Sequence, residues 1–255
     1  MSQIKVSNLT YKYPNDKKSA VKNINFTIDQ GEFILLIGKS GSGKSTLAKL
    51  IAKVAPEFYG GKIKGNIDVK DSVGIVFQDP EKQMVMDLVE REIAFGLENL
   101  GIKSNIIKRR IMETISFLNI SSLKNKKTYN LSGGEKQKVA IGSVIATQPK
   151  IIIFDEPTSQ LDPAAAGEIL QIIEKLNKSL GYTIILIEQH IDKCFNMADR
   201  VFIMEDGKLI NKLIPREFVD KYFYQYPYFI PKIQKKKKKM YINQKIPMNL
   251  KEGQK

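Results

Sequence analysis

Apolar and polar positions divide the chain into a first part rich in strands, a central helical stretch and a last part in which strands and helices alternate. Near-alternating apolar positions between residues 3 and 28 predict two strands separated by a turn at residues 14–16. Residues 32–37 are mostly apolar, which is typical of a strand buried on both faces. A Gly/Ser-rich turn follows, and a helical pattern then covers residues 47–54.

The hydrophobic period changes twice along the rest of the chain. Short strands are predicted at residues 63–69 and 73–77, and a 3.6-residue period over 79–147 indicates helices. Strand patterns then return, with a helix over residues 163–180 between the first two of them and a hairpin turn after the last. These strands are predicted at residues 150–154, 183–187, 200–204 and 208–213.

This alternation of strands and helices predicts an α/β fold, in which helices cover the faces of a mostly parallel sheet. An N-terminal antiparallel β region would precede the sheet, and the central helices would form a subdomain inserted into it. We therefore expect a core made of residues 1–78 and 149–213, a helical subdomain at 79–148, and a short C-terminal segment with a basic tail at 214–255.

Composition adds information about charge and compartment. The 255 residues carry 41 Lys and Arg against 27 Asp and Glu, a net charge of +14. The last 24 residues alone hold nine lysines and one glutamate, so the basic character is concentrated in the tail. One cysteine, Cys194, excludes an internal disulfide. No apolar run approaches the roughly 18 residues of a membrane span, and the N-terminus lacks the apolar stretch of a signal peptide, so a cytosolic protein is expected.

The strongest chemical signal is a G-x-x-x-x-G-K-[ST] motif between the buried strand and the following helix. Glycines allow backbone N–H groups to turn toward phosphate oxygens, and the helix N-terminus adds its positive dipole end. This motif predicts a P-loop NTPase core in which Lys44 reaches the β- and γ-phosphates and Ser45 offers its hydroxyl to Mg²⁺. The predicted nucleotide-binding residues are Gly38, Lys39, Ser40, Gly41, Ser42, Gly43, Lys44, Ser45 and Thr46.

Two acidic residues follow the apolar strand at residues 151–154. The carboxyl end of a strand in such a sheet lies beside the phosphate loop. Asp155 is therefore expected to help hold Mg²⁺, and Glu156 to polarise the water that attacks the γ-phosphate.

With these motifs in this order, the chain resembles the ATP-binding-cassette ATPases. Residues 131–137 (LSGGEKQ) are similar to that family's signature sequence, although Glu135 stands where the family usually has Gln. The resemblance implies that this segment contacts the ATP held by an opposite subunit, through Ser132, Gly133, Gly134 and Glu135. Taken alone, the segment is also an ordinary N-capped helix start.

The same resemblance assigns roles to residues that carry little signal by themselves. Gln78 would contact Mg²⁺ and the attacking water, and His190 would contact the γ-phosphate as a switch histidine. Asp162 ends the loop of residues 159–162, which would cross the dimer interface. Tyr13 would stack on adenine, with Tyr11 as a competing candidate.

Residues 76–83 and 90–99 resemble the ATPase subunits of energy-coupling factor importers, and Gln83 matches a second glutamine of that group. The resemblance implies ATP and Mg²⁺ as cofactors and a peripheral location at the cytoplasmic face of the cell membrane. It implies three partners: a second cassette, identical or different, a transmembrane coupling subunit, and a membrane subunit that binds a vitamin or metal ion.

Two other functions stay open at this point. A soluble cassette ATPase could act on nucleic acid or ribosomes, but the single cassette and the lack of sustained heptads favour transport, so no nucleic acid is expected. A degenerate cassette could bind nucleotide without hydrolysing it. The lysine run from Lys235 to Lys239 is either a solvated tail or a contact with the anionic inner leaflet.

Overall fold

The computed structural model of the chain describes residues 2–215 and 217–218. The expected basic tail, with its lysine run, lies outside the described residues. In chain order the elements are β1 (Ser2–Lys12), β2 (Val21–Asp29), β3 (Phe33–Ile37), α1 (Lys44–Ile51), β4 (Lys62–Val69), β5 (Val73–Val76), α2 (Pro80–Gln83), α3 (Val89–Asn99), α4 (Ser104–Phe117), α5 (Gly133–Ala146), β6 (Ile151–Asp155), α6 (Pro163–Lys178), β7 (Thr183–Ile187), β8 (Arg200–Glu205) and β9 (Lys208–Leu213).

A six-stranded sheet in the order β5-β6-β7-β3-β8-β9 forms the centre of the molecule. Its first five strands run parallel, and β9 pairs with β8 antiparallel. Strand β6 therefore lies between β5 and β7, with Asp155 paired to Ile187 at its carboxyl end. This arrangement confirms the predicted parallel sheet with helices on its faces, because the strands are connected through helices that pack back onto it.

The strands β2, β1 and β4 form a separate antiparallel sheet, as the alternating pattern near the N-terminus predicts. This sheet and α1 cover one face of the parallel sheet, where Ile34, Ile153 and Ile185 are buried against them. The opposite face, which includes Leu35 and Phe154, is buried in a larger cluster with the helices. Strands buried on both faces explain why β3, β6 and β7 are uniformly apolar in sequence.

Helices α2 to α5 lie between β5 and β6 in the chain, and α5 packs against α2, α3, α4, α6 and β5. Its glycines permit this close packing: a Cβ at Gly142 would meet the side chains of Leu118 and Thr114. The domain boundaries drawn from the sequence at residues 78 and 148 remain a prediction.

Helix α1 covers residues 44–51, whereas the apolar pattern predicts residues 47–54. The helix starts earlier because the glycine-rich loop ends at Gly43, and Lys44, Ser45 and Thr46 form its first turn. It ends earlier because Lys53 adopts a left-handed φ of +59°, which no α-helix continues through.

Candidate nucleotide-binding site

The loop between β3 and α1 is held tightly against the neighbouring backbone. A Cβ at Gly38 would lie 2.3 Å from the carbonyl oxygen of Met204, and a Cβ at Gly43 would lie 2.4 Å from that of Ala20. Only glycine fits at either position. The loop lines a polar cavity of about 280 Å³, which is also lined by residues from the carboxyl ends of three parallel strands. Its lining residues are Ala20, Ser40, Gly41, Gly43, Lys44, Ser45, Thr46, Gln78, Glu156 and Gln189.

Lys44 is 4% exposed, and two loop carbonyls orient its ammonium group. Its Nζ donates to the carbonyl oxygens of Gly38 at 2.9 Å and Lys39 at 3.1 Å. Burial lowers the pKa of Lys44, and the charges of Glu156 and Asp155 oppose that shift. Because an ammonium group has three donors, one remains to bind an anion in the cavity.

Asp155 ends β6 beside the first turn of α1. The Ser45 hydroxyl donates to its Oδ1 at 3.0 Å. Burial raises the pKa of Asp155, the Ser45 hydrogen bond lowers it, and the neighbouring Glu156 raises it further. The Asp155 carboxylate is therefore in hydrogen-bond contact with Ser45, which lines the cavity.

Glu156 adopts a φ of +50°, a left-handed conformation that is uncommon for residues other than glycine. Its N–H donates to the carbonyl oxygen of Ile187 at 3.0 Å, which fixes the strained backbone to β7. Its carboxylate accepts from the Gln189 amide at 2.9 and 3.0 Å and, at 3.5 Å, from the Gln78 amide. Two side-chain amides therefore orient this carboxylate in the cavity.

Gln189 is a site residue that the sequence reasoning missed. It lines the cavity, whereas the neighbouring His190 is exposed and does not line it. The structure thus brings Gln78 and Glu156 to the phosphate loop. The predicted switch histidine, His190, follows the lining residue Gln189 in the chain but does not itself line the cavity. A signal for Gln189 exists in its position close to the carboxyl end of a buried strand, because Asp155 and Glu156 lie at the carboxyl end of the neighbouring buried strand.

Only one of the two candidate adenine-stacking tyrosines has an accessible ring. Tyr11 is fully buried, and its hydroxyl donates to the carbonyl oxygen of Gly60 at 2.6 Å. Tyr13 is partly exposed, and its hydroxyl lies 3.3 Å from that of Thr46 in the first turn of α1. Tyr59 packs against Tyr13 edge to face, with ring centroids 6.2 Å apart. Tyr13 is therefore the tyrosine with ring surface available next to the phosphate loop.

Four residues of the LSGGEKQ segment, Ser132 to Glu135, line a second cavity, of about 390 Å³, which shares no lining residue with the first. Ser132 caps α5 in a capping box: its Oγ accepts from the Glu135 N–H, and the Glu135 carboxylate accepts from the Ser132 N–H at 2.8 Å. That N–H lowers the pKa of Glu135. Asp162 caps α6 in the same cavity by accepting from Ala164 and Ala165.

A third cavity, of about 560 Å³, opens on the helical side of the molecule. Its lining includes Met84, Met86 and Tyr129, and it also includes Val85, whose side chain is 65% exposed. Gln83 immediately precedes the lining residue Met84 in the chain and joins two elements: its Oε1 accepts from the Phe77 N–H at 2.9 Å, and its Nε2 donates to the Ala140 carbonyl at 3.5 Å. The loop after β5 is therefore tied to α5. We refer to this cavity as the helical-side groove.

The residues of the first cavity fit a magnesium–triphosphate ligand. The loop between Gly38 and Thr46 has the glycines and the helix N-terminus that phosphate binding requires. Ser45, Asp155 and Gln78 carry hard oxygen donors of the type that Mg²⁺ takes. Among the described residues there is no cluster of three His, Cys, Asp or Glu side chains that would hold a metal alone, so Mg²⁺ would take further ligands from phosphate and water.

Comparisons with known proteins identify the family of the chain. The ABC transporter family matches residues 21–159. The energy-coupling factor transporter ATP-binding protein EcfA1 of Clostridium novyi is 38% identical over 85% of this chain and 81% of that protein. CbiO1 of Clostridium perfringens, described as part of the ABC transporter complex CbiONQ, superposes with a TM-score of 0.76 at 31% identity, over 93% of this chain and 99% of that one.

A third solved structure is the dimeric, post-hydrolysis state of the ATP-binding cassette MJ0796 bound to ADP and phosphate. It has a TM-score of 0.73 at 26% identity and covers 84% of this chain and 99% of that one. Curated ABC transporter ATP-binding proteins of Bacillus and Methanosarcina species are 38% to 40% identical, and the chain spans only 36% to 42% of their length.

The chain belongs to the ABC transporter family, and its fold is that of the ATP-binding cassettes of that family. Over the described residues, none of the helices has the length and apolar character needed to cross a membrane.

Proposed function

We propose that this chain is the ATP-hydrolysing subunit of an energy-coupling factor importer, in which it powers the uptake of a vitamin or metal ion through membrane subunits. The observation that carries the proposal is the convergence of Lys44, Ser45, Asp155 and Glu156 beside one phosphate loop. The likeness to EcfA1 and CbiO1 supports the energy-coupling type.

Hydrolysis would proceed by attack of a water molecule on the γ-phosphate. Glu156, held by Gln189 and Gln78, would orient this water and accept its proton as the oxygen–phosphorus bond forms and the bond to the bridging oxygen breaks. Lys44 would stabilise the charge on the phosphates. When bound at Ser45 and Asp155, Mg²⁺ would neutralise part of the same charge. The products are ADP and phosphate.

The two separate cavities support a composite site. Because the Ser132 face lies apart from the phosphate loop of its own chain, it can reach a triphosphate only on a second cassette. Two cassettes would therefore close head to tail around two ATP molecules. Since the contacts to the partner's γ-phosphate exist only in the closed state, ATP binding favours closure and hydrolysis reopens the pair.

The helical-side groove supports the link to a membrane subunit. Exposed apolar groups such as Val85 line it, and one wall carries an ion pair between Glu81 and Lys136. A short amphipathic helix of a transmembrane subunit would place its apolar face in this groove. Gln83, next in the chain to the groove residue Met84, accepts from the Phe77 N–H, and the following residue, Gln78, binds Glu156. Movement of a docked helix would therefore reach the ATP site over a few residues.

Purification of the full chain from membranes of its native host tests the transport role. Specific co-purification of small integral-membrane proteins is expected, and recovery of ribosomes or nucleic acid instead would favour the soluble alternative. The variant Val85→Glu is expected to lose the membrane proteins while it keeps nucleotide binding. Met112→Glu, a change at an exposed methionine on α4 outside the groove, is the matched control and is expected to retain them.

A further inference from the structure

Glu188 is a buried carboxyl that the hydrolysis scheme above leaves unused. It follows β7 directly, is 2% exposed, and precedes Gln189 in the chain. Its Oε1 accepts two hydrogen bonds from a single residue, the Thr158 hydroxyl at 2.7 Å and the Thr158 N–H at 3.3 Å. A buried acceptor with two donors from one residue fixes both the backbone and the side chain of that residue.

Thr158 lies in the connection between β6 and α6, two residues after Glu156. Its neighbour Ser159 donates to the carbonyl oxygen of Glu156 at 2.9 Å and accepts from the Gln78 amide at 3.3 Å. Fixing Thr158 therefore restrains the backbone on which Glu156 sits in its left-handed conformation. Gln189, the residue after Glu188, binds the Glu156 carboxylate. Glu188 and Gln189, which follow β7, thus act on Glu156 in two ways. Glu188 restrains its backbone through Thr158, and Gln189 binds its carboxylate.

We propose that Glu188 is a positioning residue for ATP hydrolysis: through Thr158 it holds Glu156 in the geometry that orients the attacking water. This inference rests on the proposed role of Glu156 as the water-activating group. Glu188 itself does not line the phosphate-loop cavity, and it acts only through the residues it binds.

For the positioning role of Glu188, we expect its hydrogen bonds with Thr158 to matter more than its negative charge. Burial raises the pKa of Glu188 to about 7, the Thr158 hydrogen bonds oppose that shift, and the charge of Glu156 adds to it. An amide at this position would offer Thr158 the same acceptor oxygen without a second ionisable carboxyl beside Glu156. A glutamine is therefore the conservative replacement, and an alanine removes the acceptor.

The test compares steady-state ATP hydrolysis and equilibrium ATP binding in the full chain with those of Glu188→Ala, Glu188→Gln and Thr158→Val. Glu188→Ala and Thr158→Val are expected to lower kcat by roughly 10- to 100-fold, the usual effect of a small misplacement in an active site, with little change in ATP affinity. Glu188→Gln is expected to restore most of the turnover. Because the pair acts as one contact, the double variant that combines Thr158→Val with Glu188→Ala should lose little more turnover than either single variant.

Asn177→Leu is the control for a general loss of stability. Asn177 is also buried and joins the carbonyl oxygens of Gly31 and Tyr182 at the opposite end of β7. This variant is expected to lower the unfolding temperature without a fall in kcat. If Glu188→Ala does not fold, Thr158→Val removes the same contact from the other side.

Several outcomes would overturn the proposal. Wild-type turnover in Glu188→Ala, no rescue by Glu188→Gln, or an equal fall in ATP affinity and kcat would each contradict a positioning role. The variant Glu156→Gln distinguishes a failure of the positioning role of Glu188 from a failure of the proposed ATPase function. If Glu156→Gln abolishes hydrolysis while Glu188→Ala does not affect it, the role of Glu188 is wrong and the ATPase scheme stands. If the wild-type chain hydrolyses no ATP, both fail.

Discussion

The side-chain amide of Gln189 donates to both carboxylate oxygens of Glu156, at 2.9 and 3.0 Å. The two residues follow the ends of adjacent parallel strands, β7 and β6. One glutamine thus faces the group that we expect to activate water, and the left-handed backbone of Glu156 turns its side chain toward this partner. The orientation of Glu156 therefore depends on the sheet edge, because β6 and β7 end side by side there and bring Gln189 next to Glu156.

Replacement of Glu156 by glutamine is expected to keep ATP binding and to lower turnover by roughly 10²- to 10⁴-fold, the usual contribution of a positioned acid or base. The amide keeps the size of the side chain but cannot accept the proton of the attacking water. Phosphate release under saturating ATP measures the effect. Glu174→Gln, at an exposed glutamate of α6, is the control and should match the wild type. Near-normal turnover in Glu156→Gln would exclude this role.

The variant Lys44→Ala is expected to lose ATP binding, because it removes the only buried ammonium group among the residues that line the phosphate-loop cavity. Isothermal titration with ATP in the presence of Mg²⁺ measures the affinity. The Lys44 ammonium is a buried charge, which costs free energy to remove from water. Its removal should therefore not lower the unfolding temperature sharply. Lys108→Ala, on the exposed surface of α4, is the control with unchanged affinity. Retained affinity in Lys44→Ala would contradict the assignment of the phosphate site.

Glu135 lies in the capping box of α5, on the face expected to contact the ATP of a second cassette. Glu135→Gln keeps an acceptor for the Ser132 N–H but removes a negative charge at the helix N-terminus, which should lower stability by about 0.5 kcal/mol. The same change removes repulsion toward the partner's triphosphate and should strengthen ATP-dependent dimerisation. Sedimentation at increasing ATP concentration, in the Glu156→Gln background, measures this. Weaker dimerisation would show that the charge of Glu135 assists the interface.

The pH dependence of stability should carry a contribution from Glu188. Its pKa rises from 4.5 to about 7 on folding, mainly because of burial, so the folded chain binds the proton more tightly than the unfolded chain. The contribution of Glu188 to the free energy of unfolding should then be largest below pH 4.5, fall by up to roughly 3 kcal/mol as the pH rises to 7, and stay level above it. Glu188→Gln should lack this decline.

Urea unfolding of the wild type and Glu188→Gln between about pH 5 and 8 isolates this contribution, because the other titrating groups cancel in the difference. The expected difference grows with pH in favour of the variant. A difference that is constant across this range would contradict a raised pKa for the folded state. Glu174→Gln serves again as the exposed control, for which a flat difference is expected.

Much of the fold could be predicted from the sequence because its strongest patterns have few alternative solutions. Runs such as β3 and β6, apolar at nearly every position, fit only strands buried on both faces. The phosphate loop was equally predictable, because the close approach of backbone at Gly38 and Gly43 tolerates no side chain. These features depend on local chemistry, which is visible in the sequence.

The contacts that complete the site could not be predicted in the same way. The Gln189–Glu156 pair depends on β7 lying next to β6, and a one-dimensional pattern does not contain strand order. The choice between Tyr11 and Tyr13 depends on where β1 ends: Tyr11 lies within the strand and is buried, whereas Tyr13 lies beyond Lys12 and turns away. Both cases need the tertiary arrangement.

The proposed function requires an ATP-bound pair of cassettes, and the most direct measurement is the mass of the Glu156→Gln chain in solution by sedimentation or light scattering. With ATP and Mg²⁺, we predict a dimer that retains two uncleaved ATP molecules, and with ADP a monomer. A chain that stays monomeric while it holds uncleaved ATP, or one that has no nucleotide affinity, would contradict the composite site.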